Sequence, residues 1–140
     1  MSDTDAVLFA NSAFYAAFAG RDFAAMQRLW ADGDISCIHP GWPPLLGHDA
    51  VMTSWRNILG NEGSPRVVVR NAGARIHGPV AIVTCIEVIS DPGTRAQALS
   101  ATNVFVKGKG PAEWRIIHHQ GGLANIDPRT ITEDAREPVN

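Results

Sequence analysis

At Arg66 the hydrophobic period of this 140-residue chain changes from helical to strand-like and does not change back. Before it, apolar residues recur every three to four positions. After it they alternate, or run unbroken over strand lengths. Helices gathered at the N-terminal end, followed by strands joined through short turns, give α+β with an antiparallel sheet as the fold class. One strand, Val80 to Ser90, is apolar on both faces apart from Thr84 and Glu87. Such a strand needs cover on both sides. Three N-terminal helices cover one face, and a second copy of the chain is expected over the other, making a homodimer through the sheet.

The punctuation is explicit. Asp3 or Thr4 caps a first helix that carries Val7, Leu8, Asn11, Phe14, Tyr15 and Phe18 at helical spacing and stops at Gly20. Asp22 caps a second, with Phe23, Met26, Leu29 and Trp30 on its apolar face, ended by Asp32-Gly33. A strand from Asp34 to His39 leads into a stiff loop with Pro40, Pro43 and Pro44, and a third helix runs to Gly60. Arg66 to Ile76 is a strand with a bulge expected at Asn71 to Gly73, and His77-Gly78-Pro79 turns it into the strand from Val80. Turns at Asp91 to Thr94 and Gly108 to Pro111 set off strands at Ala96 to Lys107 and Glu113 to Gln120. One domain is expected over residues 1–122, with 123–140 a charged, irregular tail.

Composition excludes several classes. A net charge of -2 gives no electrostatic ground for nucleic acid or an anionic membrane as partner. The longest apolar runs are strand-sized, and Asp3 and Asp5 replace the basic lead of a signal peptide, so a cytoplasmic location is expected. Cys37 and Cys85 are too few and too far apart for a disulfide framework or zinc cluster, and read as buried thiols.

Candidate chemistry centres on residues 34–55. His39 ends a strand, and its imidazole can act as acid or base near neutral pH, or hydrogen-bond to backbone there. Trp42 and Trp55 are candidate pocket walls, the alternative for Trp55 being ordinary helix packing. Tyr15 either donates into a cavity or packs. Glu87, if inward, acquires a raised pKa and the character of a general base; if outward, it pairs with Arg95, Arg115 or a dimer mate. Pairing Lys107 with Ala112 puts Phe105 opposite Trp114, Asn103 opposite Ile116 and Ala101 opposite His118. On that register Asn103, Phe105, Trp114, Ile116 and His118 share the pocket face, and Arg115, Ile117 and His119 the other. His118 and His119, as strand neighbours, cannot share one ion; a metal would need His39 and His118 to meet Glu87 or Cys85, and no close ligand spacing supports that. Gly108-Lys109-Gly110 has no following helix to make a phosphate loop of it.

Several stretches together resemble the NTF2-like superfamily and its SnoaL-like branch: Phe14-Tyr15-Ala16-Ala17-Phe18 with Arg21-Asp22 and Leu29-Trp30, Cys37-Ile38-His39-Pro40-Gly41, Gly47 with Trp55-Arg56, Ala101-Thr102-Asn103-Val104-Phe105, and Trp114-Arg115-Ile116-Ile117-His118-His119. The resemblance implies a strongly curved sheet wrapped round the helices as a cone, a pocket inside and a dimer contact outside. Relatives include ketosteroid isomerases, polyketide cyclases, dehydratases and association domains. The isomerases and cyclases use a pocket aspartate, whereas Asp32 and Asp34 here look like turn and cap residues. Many relatives close the last strand with a third histidine and a serine, where this chain has Gln120 and Gly122. The expectation is a cofactor-free pocket for a small organic molecule. As an enzyme it would be of the isomerase, cyclase or dehydratase kind, with His39 transferring a proton, Asn103 and His118 polarising an oxygen, and Tyr15, Trp42, Trp55, Cys85, Glu87 and Phe105 lining the site. The alternative is a non-catalytic binding or association module.

Overall fold

The computed structural model describes residues 1–91, 93, 95–110 and 112–131. Pro92, Thr94 and Pro111 of the expected turns and residues 132–140 of the expected tail lie outside the described residues. Three helices, α1 (Asp3–Ala19), α2 (Phe23–Leu29) and α3 (His48–Gly60), precede most of a six-stranded sheet. Its strands are β1 (Ser36–Ile38), β2 (Leu45–Leu46), β3 (Arg66–His77), β4 (Val80–Ser90), β5 (Gln97–Lys107) and β6 (Trp114–Leu123), in the order β2-β1-β6-β5-β4-β3. Asp22 caps α2 as expected, whereas α1 is capped by Ser2 rather than by Asp3 or Thr4, which lie inside the helix. The left-handed residue after α1 is Arg21 (φ 52°), not Gly20. The Ser2 side chain accepts from the Asp5 N–H, and the Asp22 carboxylate from the Ala25 N–H. No described helix is long and apolar enough to cross a membrane.

The sheet curves round α1, which packs against β3 at one edge, its neighbour β4, and β6 farther across. A bulge between Arg70 and Gly73 helps β3 bend; the residue there with positive φ is Asn71 (56°), which tolerates that region, rather than Gly73. The expected antiparallel sheet has one exception, the parallel pair β1–β6. Two residues of the proline loop, Leu45 and Leu46, form the edge strand β2.

The β5–β6 register corrects the expected one. Lys107 pairs with Trp114 and Phe105 with Ile116; beyond a shift, Val104 pairs with His118 and Asn103 with His119. Two causes are visible. The hairpin closes one residue later on each side, because Gly108 N–H donates to the Glu113 carbonyl and Gly110 N–H to its side chain. Then the Ile116 carbonyl accepts from Ala31 N–H, beside a bridge from Trp30, which leaves Ile117 as the extra residue of a bulge. The two-residue change preserves faces; the bulge reverses them.

Phe14 sits at the centre of the core. Its ring meets Tyr15 at 4.8 Å, His119 at 5.1 Å and Trp55 at 5.5 Å, and Phe18 and Trp30 lie just beyond. The edge-to-face arrangements suit the quadrupoles of the rings. We expect Phe14→Ala to destabilise the fold by roughly 3–5 kcal/mol, measured as a lowered urea midpoint at unchanged m-value.

Candidate functional site

Strand alternation on β4 turns Ala81, Val83, Cys85 and Glu87 inward, toward α1. Glu87 is 2% exposed. Of the two readings open for it, the inward one is what the structure shows. Tyr15 Oη donates to Glu87 Oε2 at 2.5 Å and lies 3.3 Å from Cys85 Sγ. Burial pushes the Glu87 carboxyl up to about 7, against the downward pull of the Tyr15 hydrogen bond. Burial, and then the nearby Glu87 charge, raise Tyr15 as well, so its hydroxyl keeps its proton.

Two asparagines and a histidine extend this pair. Asn103 Nδ2 donates to Asn11 Oδ1 at 2.8 Å and to Tyr15 Oη at 3.2 Å, and Asn103 Oδ1 lies 2.5 Å from His119 Nδ1. His119 Nε2 stands 3.8 Å from Glu87 Oε2, too far for a hydrogen bond. Burial first, then His39 and His118, lower His119 to about 3. The pair is therefore a neutral imidazole beside a carboxyl group, not an ion pair, since two desolvated charges at that distance lack compensating bonds. Asn11, Glu87, Asn103 and His119 are all buried.

His39 forms a second buried group beside the first, its ring 6.4 Å from that of His119. Ser54 Oγ gives its proton to the Val51 carbonyl, so it accepts from His39 Nε2 at 2.9 Å. Burial lowers His39 to about 4 and raises the Cys37 thiol, 3.6 Å from its Nε2, to about 12. Trp42 and Trp55 flank the His39 ring edge-on at 5.0 and 4.9 Å. Trp55 is fully buried in the aromatic core, while Trp42 is 45% exposed on its loop. Gly121 completes the surroundings: a Cβ there would meet Glu87 Oε1 at 3.3 Å and Pro40 Cγ at 3.5 Å. Glu87 and Pro40 thus both crowd position 121, where a side chain would require the carboxyl group to give by a few tenths of an ångström.

The structure brings together Tyr15, Cys85, Glu87 and Asn103, with His39 and Trp55 alongside; Phe105 is buried in the same core. His118 is not with them. It was expected on the face of Asn103 and Phe105, but the bulge at Ile117 puts His119 there instead, and His118 Nδ1 pairs with Ser36 Oγ at 2.7 Å, half-buried. Asn11 and His119 were missed as site residues. Asn11 carried a signal, a polar side chain at a core position of an apolar helix face; His119 carried none, because its face depends on the bulge. Among the described residues no three His, Cys, Asp or Glu side chains are grouped as a metal site would need.

With this geometry in view, the comparisons with known proteins place the chain. It belongs to the SnoaL-like domain family, which it matches over residues 7–125, and so to the NTF2-like superfamily. It resembles a candidate dehydratase of the NTF2-like family from Streptomyces avermitilis, at 32% identity and a TM-score of 0.77 over 89% of this chain and 97% of the other. It also resembles a candidate calcium/calmodulin-dependent protein kinase type II association domain from Thiobacillus denitrificans, at 32% identity and a TM-score of 0.73 over 82% and 92%. The same fold recurs in an S. rosetta CaMKII hub, at 21% identity and a TM-score of 0.72 over 89% and 98%. No curated protein matches.

The pKa shifts carry opposite signs of stability. The raised Glu87 stabilises the fold fully below about 4.5, and that contribution is lost as pH rises through about 7; the lowered His39 and His119 contribute above about 6.5 and are lost on acidification toward 4 and 3. Glu87→Gln removes the first while keeping an acceptor for Tyr15. Between about pH 4.5 and 7 its stability relative to the parent should rise by roughly 3 kcal/mol, read by chemical denaturation at several pH values. A flat difference would contradict the raised carboxyl.

Proposed function

We propose that this protein binds a small, uncharged organic molecule in the concave side of the sheet and acts on it by acid–base chemistry of the isomerase, cyclase or dehydratase kind. The observation that carries the reading is the Glu87 carboxyl, buried, raised to about 7 and hydrogen-bonded by Tyr15. A group balanced near neutrality both takes and returns a proton, which is what a general base in such reactions must do. Tyr15, holding its proton, is the donor beside it. The proton-transfer role expected of His39 passes to Glu87 in this reading, because His39 Nε2–H is engaged by Ser54; His39 and Trp42 become the wall under the Pro40 loop. Asn103 keeps a place next to the reacting groups, and His118 takes none. In this reading a ligand must open the packed core to reach Glu87, which is almost wholly buried. An anion is disfavoured, since the buried polar set of the described residues (Asn11, His39, Ser54, Glu87, Asn103, His119) holds no Lys or Arg to neutralise one.

The test is proton exchange. Cyclic ketones and enones incubated in deuterium oxide with the protein should gain deuterium at an activated carbon, and Glu87→Gln should lose roughly 100-fold or more of that rate. No incorporation with any compound, or an unchanged rate in the variant, sinks the acid–base reading.

A second reading concerns association, and the outer face of the sheet supports it. Ile82 pairs with Val104, Val80 with Val106 and Val68 with Val88, a band of apolar pairs that no described helix covers. Its chemistry suits a second copy of this chain, giving a homodimer through the sheet, and a 32% identical relative is itself a candidate association domain. Sedimentation velocity should show a dimer, and Val104→Glu should convert it to monomer. A parent protein that is monomeric removes this reading and leaves the first intact.

A further inference from the structure

The hydrogen bonds among Tyr15, Asn103 and His119 have a direction, fixed by where the protons are. Tyr15 has one hydroxyl proton and gives it to Glu87, so toward Asn103 its oxygen accepts. Asn11 Oδ1 accepts from the same amide. The two acceptors are four residues apart on α1 and therefore share a face, so the helix presents both to one NH2 group. The amide oxygen of Asn103 is then the atom that faces His119 Nδ1, and that nitrogen must carry the ring proton. Nε2 is left with its lone pair, on the side of Glu87.

With Asn11 oriented as it is, turning the amide over would set its oxygen against two oxygens, and its NH2 against Nδ1. The ring proton would then move to Nε2, and the nitrogen nearest Glu87 would no longer accept. Of the two groups opposing that reversal, Tyr15 depends on Glu87: once the carboxyl takes up a proton, the hydroxyl is no longer committed to it. Asn11 has no titrating group, and its contact is the shorter of the two.

We propose that Asn11 is a positioning residue: acting through Asn103, it holds His119 as the Nδ1–H tautomer and so keeps Nε2, the nitrogen facing Glu87, free to accept a proton. This deepens the acid–base reading of the interior, on which its catalytic meaning rests. The tautomer itself is a property of the resting protein and is read without turnover.

The experiment is nitrogen NMR on the full chain labelled at its five histidines, at about pH 8, where Glu87 is ionised. In the parent protein His119 Nε2 should resonate as an unprotonated nitrogen and Nδ1 as a protonated one. In Asn11→Leu the ratio of the two tautomers should fall by about five- to tenfold, the effect of losing one buried neutral hydrogen bond. A parent spectrum with the proton on Nε2 overturns the proposal, as does an Asn11→Leu spectrum identical to the parent, which would leave Tyr15 to orient the amide alone. If Asn11→Leu does not fold, Asn11→Ala is read in its place, and the parent spectrum already decides the first half. A parent protein that shows the Nδ1–H tautomer at His119 but no deuterium exchange would count against the acid–base reading and not against Asn11.

Discussion

The hydrogen bond from Tyr15 to Glu87 ties the helix inside the curved sheet to the strand beneath it. A carboxyl group in the middle of an apolar strand is costly to bury, and the cost is tolerable only if something donates to it. That one requirement orders much else. α1 must cross the concave side with Tyr15 facing β4, which brings Asn11, one turn earlier, over β5 and onto Asn103. β6 passes close to the carboxyl group at Gly121, and its bulge turns His119 inward to meet Asn103.

Around this polar strip the aromatic rings form a shell. Phe14, Trp30, Trp55 and Phe105 are fully buried, and they exclude water from groups whose charges water would otherwise support. The same shell acts in opposite senses on acids and bases: it raises Glu87 and lowers His39 and His119, so all of them favour their neutral forms inside the fold. An uncharged interior with one carboxyl near neutrality is chemically quite unlike the opposite face of the sheet, where Val80, Ile82, Val104 and Val106 pair and neither face constrains the other's side chains. The separation gives a physical reason why chains of this fold include both a candidate dehydratase and a candidate association domain.

Much of the fold was legible in the sequence because its signals are local. Asp22 marks a helix start by its own hydrogen bonding, and the period change at Arg66 follows from which face of each element is buried. The site was legible in part. Tyr15, Glu87 and Asn103 stood out as polar residues in apolar elements, but their meeting depends on pairings between residues about 16 to 92 positions apart. Glu87 illustrates the limit. Strand alternation placed it opposite Thr84 in face, yet nothing within β4 distinguished the covered side from the open one.

What the sequence determined by itself was the kind and order of elements, since these follow from the spacing of apolar residues and the chemistry of caps and turns. What the tertiary structure alone decided was which of two neighbouring histidines faces the interior. That choice rests on the carbonyl of Ile116, taken by Ala31 from the end of a distant helix, and on the single unpaired residue this leaves in β6. A strand's side-chain period is two, so one such residue moves His118 out and His119 in, and no local signal can announce it.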